Sequence, residues 1–260
     1  MNIEILILSI IQGVAEILPI SSSVNLQFFS SLFNLKSFSF LLKIALHAGS
    51  LITILFYFRT EITNILKGFF SKKIKLKDTY FFPLVIGTIP VVILGYLSRD
   101  FVKEFDSNII MGVASVFFGI LLLMFDKMAC AKTRTDKSPV SISKAFFIGC
   151  FQAIAIFPGV SRLGICITSS RMLSLDRKKA IFFSLLLAIP SILGSLTLEI
   201  IESIKSEQNF VASNDILIGV ALTTLIGIAI IGPAIKFMEK KGFVALTIYR
   251  IIVGLAICFI

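Results

Sequence analysis

The chain has no tryptophan and one histidine, and only 15% of its 260 residues are charged. So few charges cannot coat a water-soluble globule of this size, which excludes a soluble domain. Cys130, Cys150, Cys166 and Cys258 are scattered without paired spacing, arguing against a disulfide framework or a cysteine metal cluster. Without tryptophan, any aromatic belt at a membrane surface must rest on four tyrosines and on phenylalanine. The opening run MNIEILILSII has no basic stretch before its apolar residues, so it is expected to remain as structure rather than act as a cleaved signal. The lone His47 is expected to be a helix-facing residue with satisfied hydrogen bonds, not a catalyst.

What the sequence does contain is apolar length. It is 57% hydrophobic with a mean hydropathy of +0.98, and several windows approach the roughly 20 residues needed to cross a bilayer. An integral membrane protein follows. The formal charge of +10 sits in short segments between apolar windows, where cytoplasmic loops carry lysine and arginine, so nucleic acid is not an expected partner.

Two stretches break the apolar pattern. Residues 12–26 read QGVAEILPISSSVNL, and residues 158–168 read PGVSRLGICIT. In the first, Gln12 and Glu16 stand at i and i+4 on one helix face, and Pro19 ends that helix. Ser21, Ser22 and Ser23 can then cap a second short helix reaching about residue 33. Neither piece comfortably spans about 30 Å of hydrocarbon, so a re-entrant hairpin is expected. The second stretch repeats the plan: an apolar helix over 143–157, a break at Pro158 and Gly159, and a helix capped by Ser161 and running to about residue 173.

Full spans are expected at 38–58, 81–98 and 108–125 in the first half, and at 180–201, 216–235 and 243–260 in the second. The segment 59–80 is basic, and its Ile62, Ile65, Leu66, Phe69 and Phe70 suit a helix lying in the interface. FSFLLKIALHAG from Phe38 pairs with FSLLLAIPSILG from Phe183, so the span after each hairpin looks duplicated. The expected architecture is an all-α polytopic membrane protein, one domain over 1–260, built as an inverted-topology repeat. Repeat 1 covers about 1–126 and repeat 2 about 143–260, each a re-entrant helical hairpin plus three transmembrane helices. Placing the basic segments 59–80, 127–144, 171–179 and 236–241 inside leaves the acidic segments 99–107 and 202–215 outside.

Such repeats bind ligands near the midplane, with half-helix N-termini facing an anion. Arg162 adds a permanent charge and a planar fork suited to phosphate oxygens. Glu16 can serve as general base, as metal ligand or as a balancing charge for Arg162. The serine run offers a nucleophile or phosphate donors. Against these stand plainer roles, packing for the serines and a structural ion pair for Glu16 with Arg162.

QGVAEILPISSSVNL resembles the first signature of the bacitracin-resistance family of undecaprenyl-diphosphatases, an E/Q-x-x-x-E pair followed by L-P-x-S-S and a small residue before His-Leu. PGVSRLG resembles its second signature, P-G-x-S-R-S-G. The resemblance covers essentially the whole chain. It implies a membrane phosphatase that removes the terminal phosphate from a long-chain polyprenyl diphosphate, regenerating the carrier for peptidoglycan, with its site open to the outer face of the bacterial inner membrane. It assigns catalysis to Glu16, Ser22 and Arg162, and substrate binding to Gln12, Ser21, Asn25, Gly159 and Ser161. It also implies a divalent cation, magnesium or calcium, held in part by Glu16.

This chain departs from the signatures at Asn25, where the motif histidine belongs, and at Val24, Leu163 and Cys166. Asparagine can donate a hydrogen bond to phosphate but cannot relay a proton. If that histidine is the attacking group, activity should be low; if Ser22 attacks, Asn25 is tolerated. For a phosphatase, Asn25→His should raise turnover. His47 could supply the missing imidazole. The competing reading is a polyprenyl-phosphate carrier or flippase using the same phosphate cradle.

Overall fold

The computed structural model describes residues 3–35, 40–70, 76–105, 107–129, 138–205 and 214–260. The core of the basic linker, 130–137, and residues 206–213 of the acidic segment lie outside the described residues, as does Cys130. Among the described residues every regular element is helical. In order they are α1 (Ile3–Ala15), α2 (Ser22–Leu32), α3 (Phe40–Tyr57), α4 (Arg59–Phe70), α5 (Phe81–Val102), α6 (Asn108–Ala129), α7 (Ile142–Gln152), α8 (Arg162–Met172), α9 (Arg177–Lys205), α10 (Asn214–Lys241) and α11 (Val244–Ile257).

The chain is a multi-pass membrane protein. The helices α5, α6, α9 and α10 are each long and apolar enough to cross a bilayer. The paired short helices α1–α2 and α7–α8 meet at the two breaks, where the sequence placed them. α3 ends at Tyr57, and after the break at Phe58 α4 leaves it at 71° with none of its residues buried. That geometry fits a helix turning out of a span to lie along its end. The last helix is shorter than expected. α10 runs on to Lys241, and α11 has 14 residues, a rise of about 21 Å that falls short of a full crossing.

α9 is the central element. It packs against α3, α5, α8 and α10, and 56% of its apolar window is buried, against 11% for α5. Its Ile181, Leu185, Leu186, Ala188 and Ile192 join Ile54, Phe58, Leu163 and Phe243 in the largest core cluster. α5, by contrast, turns Val92, Ile93, Leu94 and Leu97 outward, as a lipid-facing helix should.

Packing partners exchange between the halves. α1 packs on α10 while α7 packs on α5, α2 packs on α11 while α8 packs on α6, and α3 meets α9. Both first helices also carry a fully buried glutamine before the break, Gln12 and Gln152, each followed three residues later by an alanine. The α5–α7 crossing is set by glycine. A Cβ at Gly149 would lie 2.2 Å from the Gly87 carbonyl oxygen, so only glycine permits the approach.

One expected loop charge is not on a solvated loop. Arg171 is buried, its Nε 2.9 Å from Asp126 Oδ1, while Arg177 donates to the same carboxylate at 2.7 Å. A cation that deep requires an anion, and Asp126 at the end of α6 supplies it, clamping α6 to the α8–α9 turn.

Candidate functional site

The first break is a turn of unusual backbone. After α1, residues 16–20 form irregular turns, and Ser21 takes φ 66, the left-handed region that an L-residue rarely adopts. This conformation prevents the expected cap: the Ser21 hydroxyl makes no bond to an α2 N–H and instead meets Ser23 Oγ at 3.1 Å. The Asn25 side chain secures the turn. Its amide donates to the Ile20 carbonyl at 3.0 Å and to the Ser21 carbonyl at 2.8 Å, and its oxygen accepts from the Tyr249 hydroxyl.

The second break does cap as expected. Ser161 Oγ accepts from the Gly164 N–H at 3.1 Å, fixing the N-terminus of α8. Just before it, Gly159 has φ 90, and a Cβ there would sit 2.3 Å from the Met111 carbonyl oxygen. Glycine is required on both counts.

Around Glu16 the polar side chains converge. Ser22 donates its hydroxyl to Glu16 Oε2 at 2.8 Å, and Gln12 Nε2 donates to the same oxygen at 3.1 Å. The Gln12 amide nitrogen also lies 3.1 Å from His47 Nδ1 and 3.3 Å from Ser50 Oγ, joining the hairpin to α3. His47 Nδ1 is 3.7 Å from Glu16 Oε2, and both side chains are largely shielded. The Ser22–Glu16 contact is the geometry of a nucleophile beside its base.

Arg162 opens α8 and acts electrostatically on both Glu16 and His47. It is not in an ion pair with Glu16; the one side-chain hydrogen bond it makes among the described residues is to Ser191 Oγ, at 3.5 Å. A guanidinium so lightly engaged keeps most of its donors for an anion. Glu199 on α9 also faces His47 electrostatically, and its Oε2 is buried with no hydrogen-bond partner among the described residues.

Of the residues singled out from sequence, Gln12, Glu16 and Ser22 form one hydrogen-bonded group, with Arg162 in electrostatic range. Asn25 and Ser161 have their side chains engaged in holding the breaks, and the Gly159 carbonyl is likewise occupied. The lone histidine, expected to be a bystander, faces the group.

Sequence reasoning missed two neighbouring residues, Arg250 and Tyr249. Arg250 lies fully buried in α11 and reaches both breaks, donating from Nη1 to the Pro19 carbonyl at 3.4 Å and from Nη2 to the Gly159 carbonyl at 3.1 Å. Its Nε donates to Ser115 on α6 at 3.2 Å. An arginine in the middle of an apolar window was the available signal. Tyr249, beside it, shows its role only through its hydrogen bond to Asn25.

The bundle is also grooved. A cleft of about 530 Å³ runs between α3, α4, α5 and α9, lined by apolar residues including Leu55, Ile62, Ile89, Leu186 and Pro190. Its α9 wall ends at Pro190, adjacent in sequence to the Ser191 that Arg162 touches.

A family described as bacitracin resistance protein BacA matches residues 5–256. The chain is 36% identical to an undecaprenyl-diphosphatase of Pelagibacter ubique, over 99% of this chain and 97% of that relative. It is 32% identical to an undecaprenyl-diphosphatase of Bacillus cereus, over 95% of this chain and 92% of the other. With an undecaprenyl-diphosphatase of Alteromonas mediterranea it shares 33% identity over 96% and 95% of the two chains.

Proposed function

The chain belongs to the bacitracin resistance protein BacA family, and from that premise we propose that it hydrolyses undecaprenyl diphosphate to undecaprenyl phosphate and phosphate. This recycles the lipid carrier for peptidoglycan synthesis and confers bacitracin resistance. One observation carries the reading to particular residues: Ser22 donates to Glu16 at 2.8 Å inside an apolar helical bundle, with Arg162 in electrostatic range. In this mechanism Ser22 Oγ attacks the terminal phosphorus while Glu16 receives its proton. Arg162 and the α8 N-terminus neutralise charge on the transferred group. Gln12 orients Glu16, and Ser21, Gly159 and Ser161 shape the walls around the phosphates. Asn25 holds the turn that presents Ser22.

A divalent cation fits this site only in the manner of magnesium, which takes one or two protein carboxylates and completes its shell with substrate oxygens. Among the described residues no group of three or more His, Cys, Asp or Glu forms a ligand set, so Glu16 is the carboxylate that would hold it. Bound there, magnesium would offset charge on the diphosphate, whereas calcium would need more oxygen ligands than Glu16 supplies.

The protein resides in the bacterial inner membrane with its two halves inverted, the basic segments in the cytoplasm and the site facing the periplasm. The apolar cleft between α3, α4, α5 and α9 suits the polyprenyl chain. A carrier without hydrolysis draws no support from the relatives, which are named as diphosphatases. The test is phosphate release from undecaprenyl diphosphate by purified protein in detergent. Glu16→Gln and Arg162→Ala should each lower turnover at least about a hundredfold; wild-type rates in both would refute the assignment.

A further inference from the structure

We propose that α4 gauges the polyprenyl chain, with Ile62 and Ile65 marking where the protein stops sensing the isoprene units that trail from the phosphates. The role rests on the phosphatase reading above. It is carried by the apolar cleft and by the helix that crosses its end.

The cleft and the polar group lie at successive levels of the same two helices. On α3, Ser50 accepts from Gln12 at 3.3 Å, and Leu55 of the cleft follows it by little more than one turn. On α9, Ser191 accepts from Arg162 at 3.5 Å, and Leu186 of the cleft precedes it by the same interval. These two helices run antiparallel, because Phe58 after α3 packs edge-on against Phe182 near the start of α9, with ring centroids 5.1 Å apart. Both cleft walls are therefore displaced from the polar group toward the same end. One apolar cluster joins the two levels, holding Leu18 and Leu163, close in sequence to Glu16 and Arg162, together with Leu186 and Ile62.

α4 crosses that end. It leaves α3 at 71° and reaches α5, where Phe69 packs edge-on against Phe81 with centroids 5.0 Å apart. Ile62, Ile65 and Phe69 fall at i, i+3 and i+7 on one helix face. Ile62 and Ile65 line the cleft and are half-buried, whereas Leu66 and Phe70 are exposed. The lining gives an isoprenoid nothing polar to displace: its one hydroxyl, on Thr88, donates to the Leu84 carbonyl at 2.7 Å.

Helix geometry sets the count. From Ser50 to Phe58 the chain rises about 12 Å, and an isoprene unit laid out along four carbons advances about 4–5 Å. About three units therefore separate the phosphate end from Ile62 and Ile65. Shorter chains stop before α4. Units beyond it pass out of the cleft into lipid, where the protein gains nothing further from them. Tail burial stabilises substrate and transition state alike, so contact with α4 is read in KM rather than in kcat.

The experiment measures phosphate release from isoprenyl diphosphates of two, three and four units and from undecaprenyl diphosphate in one detergent. It compares the unaltered protein, Ile62→Trp, and Ile62→Ala combined with Ile65→Ala. Each substrate partitions into detergent equally for every protein, so the ratio of variant to unaltered KM isolates the contact with α4. Ile62→Trp, which fills the end of the cleft, should raise KM about tenfold for three units or more, and the double alanine variant about fivefold. KM for two units and every kcat should stay within about twofold of the unaltered protein. The two-unit substrate does not reach α4, so its turnover reports that each variant is folded and competent. Unchanged KM for the longer chains in both variants overturns the gauge and leaves the cleft to a phospholipid acyl chain. An equal rise for two units, or loss of its turnover, overturns the gauge as well. No release by the unaltered protein from any of the four overturns the phosphatase reading and the gauge with it.

Discussion

Replacing Arg250 separates the anchoring of the two breaks from the chemistry they carry. Its side chain makes two sound hydrogen bonds, to Ser115 and the Gly159 carbonyl, and a longer one at 3.4 Å to the Pro19 carbonyl. A bond from a charged donor contributes about 1.5–3 kcal/mol, so the two sound ones are worth roughly 3–6 kcal/mol before any offset. Arg250 has no carboxylate within ion-pair distance among the described residues, and removing a buried cation returns several kcal/mol of desolvation. Arg250→Met should therefore destabilise by only about 1–3 kcal/mol. Turnover should fall further, because misplacing reacting groups by about 1 Å can cost about a hundredfold. Arg250→Lys sharpens the test. A lysine keeps the charge, but a single ammonium cannot grip Pro19 and Gly159 as a planar fork does, so its kcat should fall as far as that of the methionine variant. Phosphate release and thermal unfolding in detergent measure both quantities. A lysine variant with wild-type kcat would refute the bridging role and leave only a field effect of the charge.

Asn25→His should lower turnover, reversing the expectation from the motif, because the ring cannot reproduce donation to both Ile20 and Ser21 carbonyls; a rate increase in the same assay would show that the turn tolerates the exchange. Gly159→Ala should be severely impaired in both folding yield and activity, since its Cβ would meet the Met111 carbonyl oxygen at 2.3 Å in a backbone conformation alanine rarely adopts. Asp126→Asn should cost about 3–5 kcal/mol of stability by leaving Arg171 buried without its anion, while kcat per folded molecule stays near wild type. Thermal unfolding combined with active-fraction measurement checks that dissociation of stability from catalysis.

Local chemistry made the two breaks legible. Pro19, Pro158 and the hydroxyl residues after them interrupt apolar runs in ways no spanning helix accommodates, and the i, i+4 spacing of Gln12 and Glu16 placed both on the face that meets Ser22. What escaped depended on distant partners. Asn25 looks like a phosphate donor until Tyr249, 224 residues away, is seen to complete its hydrogen bonding. Arg171 looks like a loop charge until Asp126 is seen beneath it. His47 sits four residues after Lys43 and three before Ser50, a polar stripe along α3 that could have marked it as facing the hairpin. Arg250 was concealed by the hydrophobicity of its neighbours, although an ionisable side chain in such a run is itself the warning. The shortness of α11 was not legible, because the apolar run is long enough and only the packing shows where the preceding helix stops.

The cleft walled by Leu55, Ile89 and Pro190 is also lined by Val85, Val92 and Ile93, side chains that are themselves exposed on the apolar surface of α5. On the proposed function, an isoprenoid entering there from the bilayer would not pass through water, and encounter would be a two-dimensional event. The concentration that governs the rate is then the number of substrate molecules per unit area of bilayer, not per litre of buffer. Diluting the substrate with inert lipid should slow the reaction, whereas adding buffer to the same vesicles should leave each molecule turning over as before.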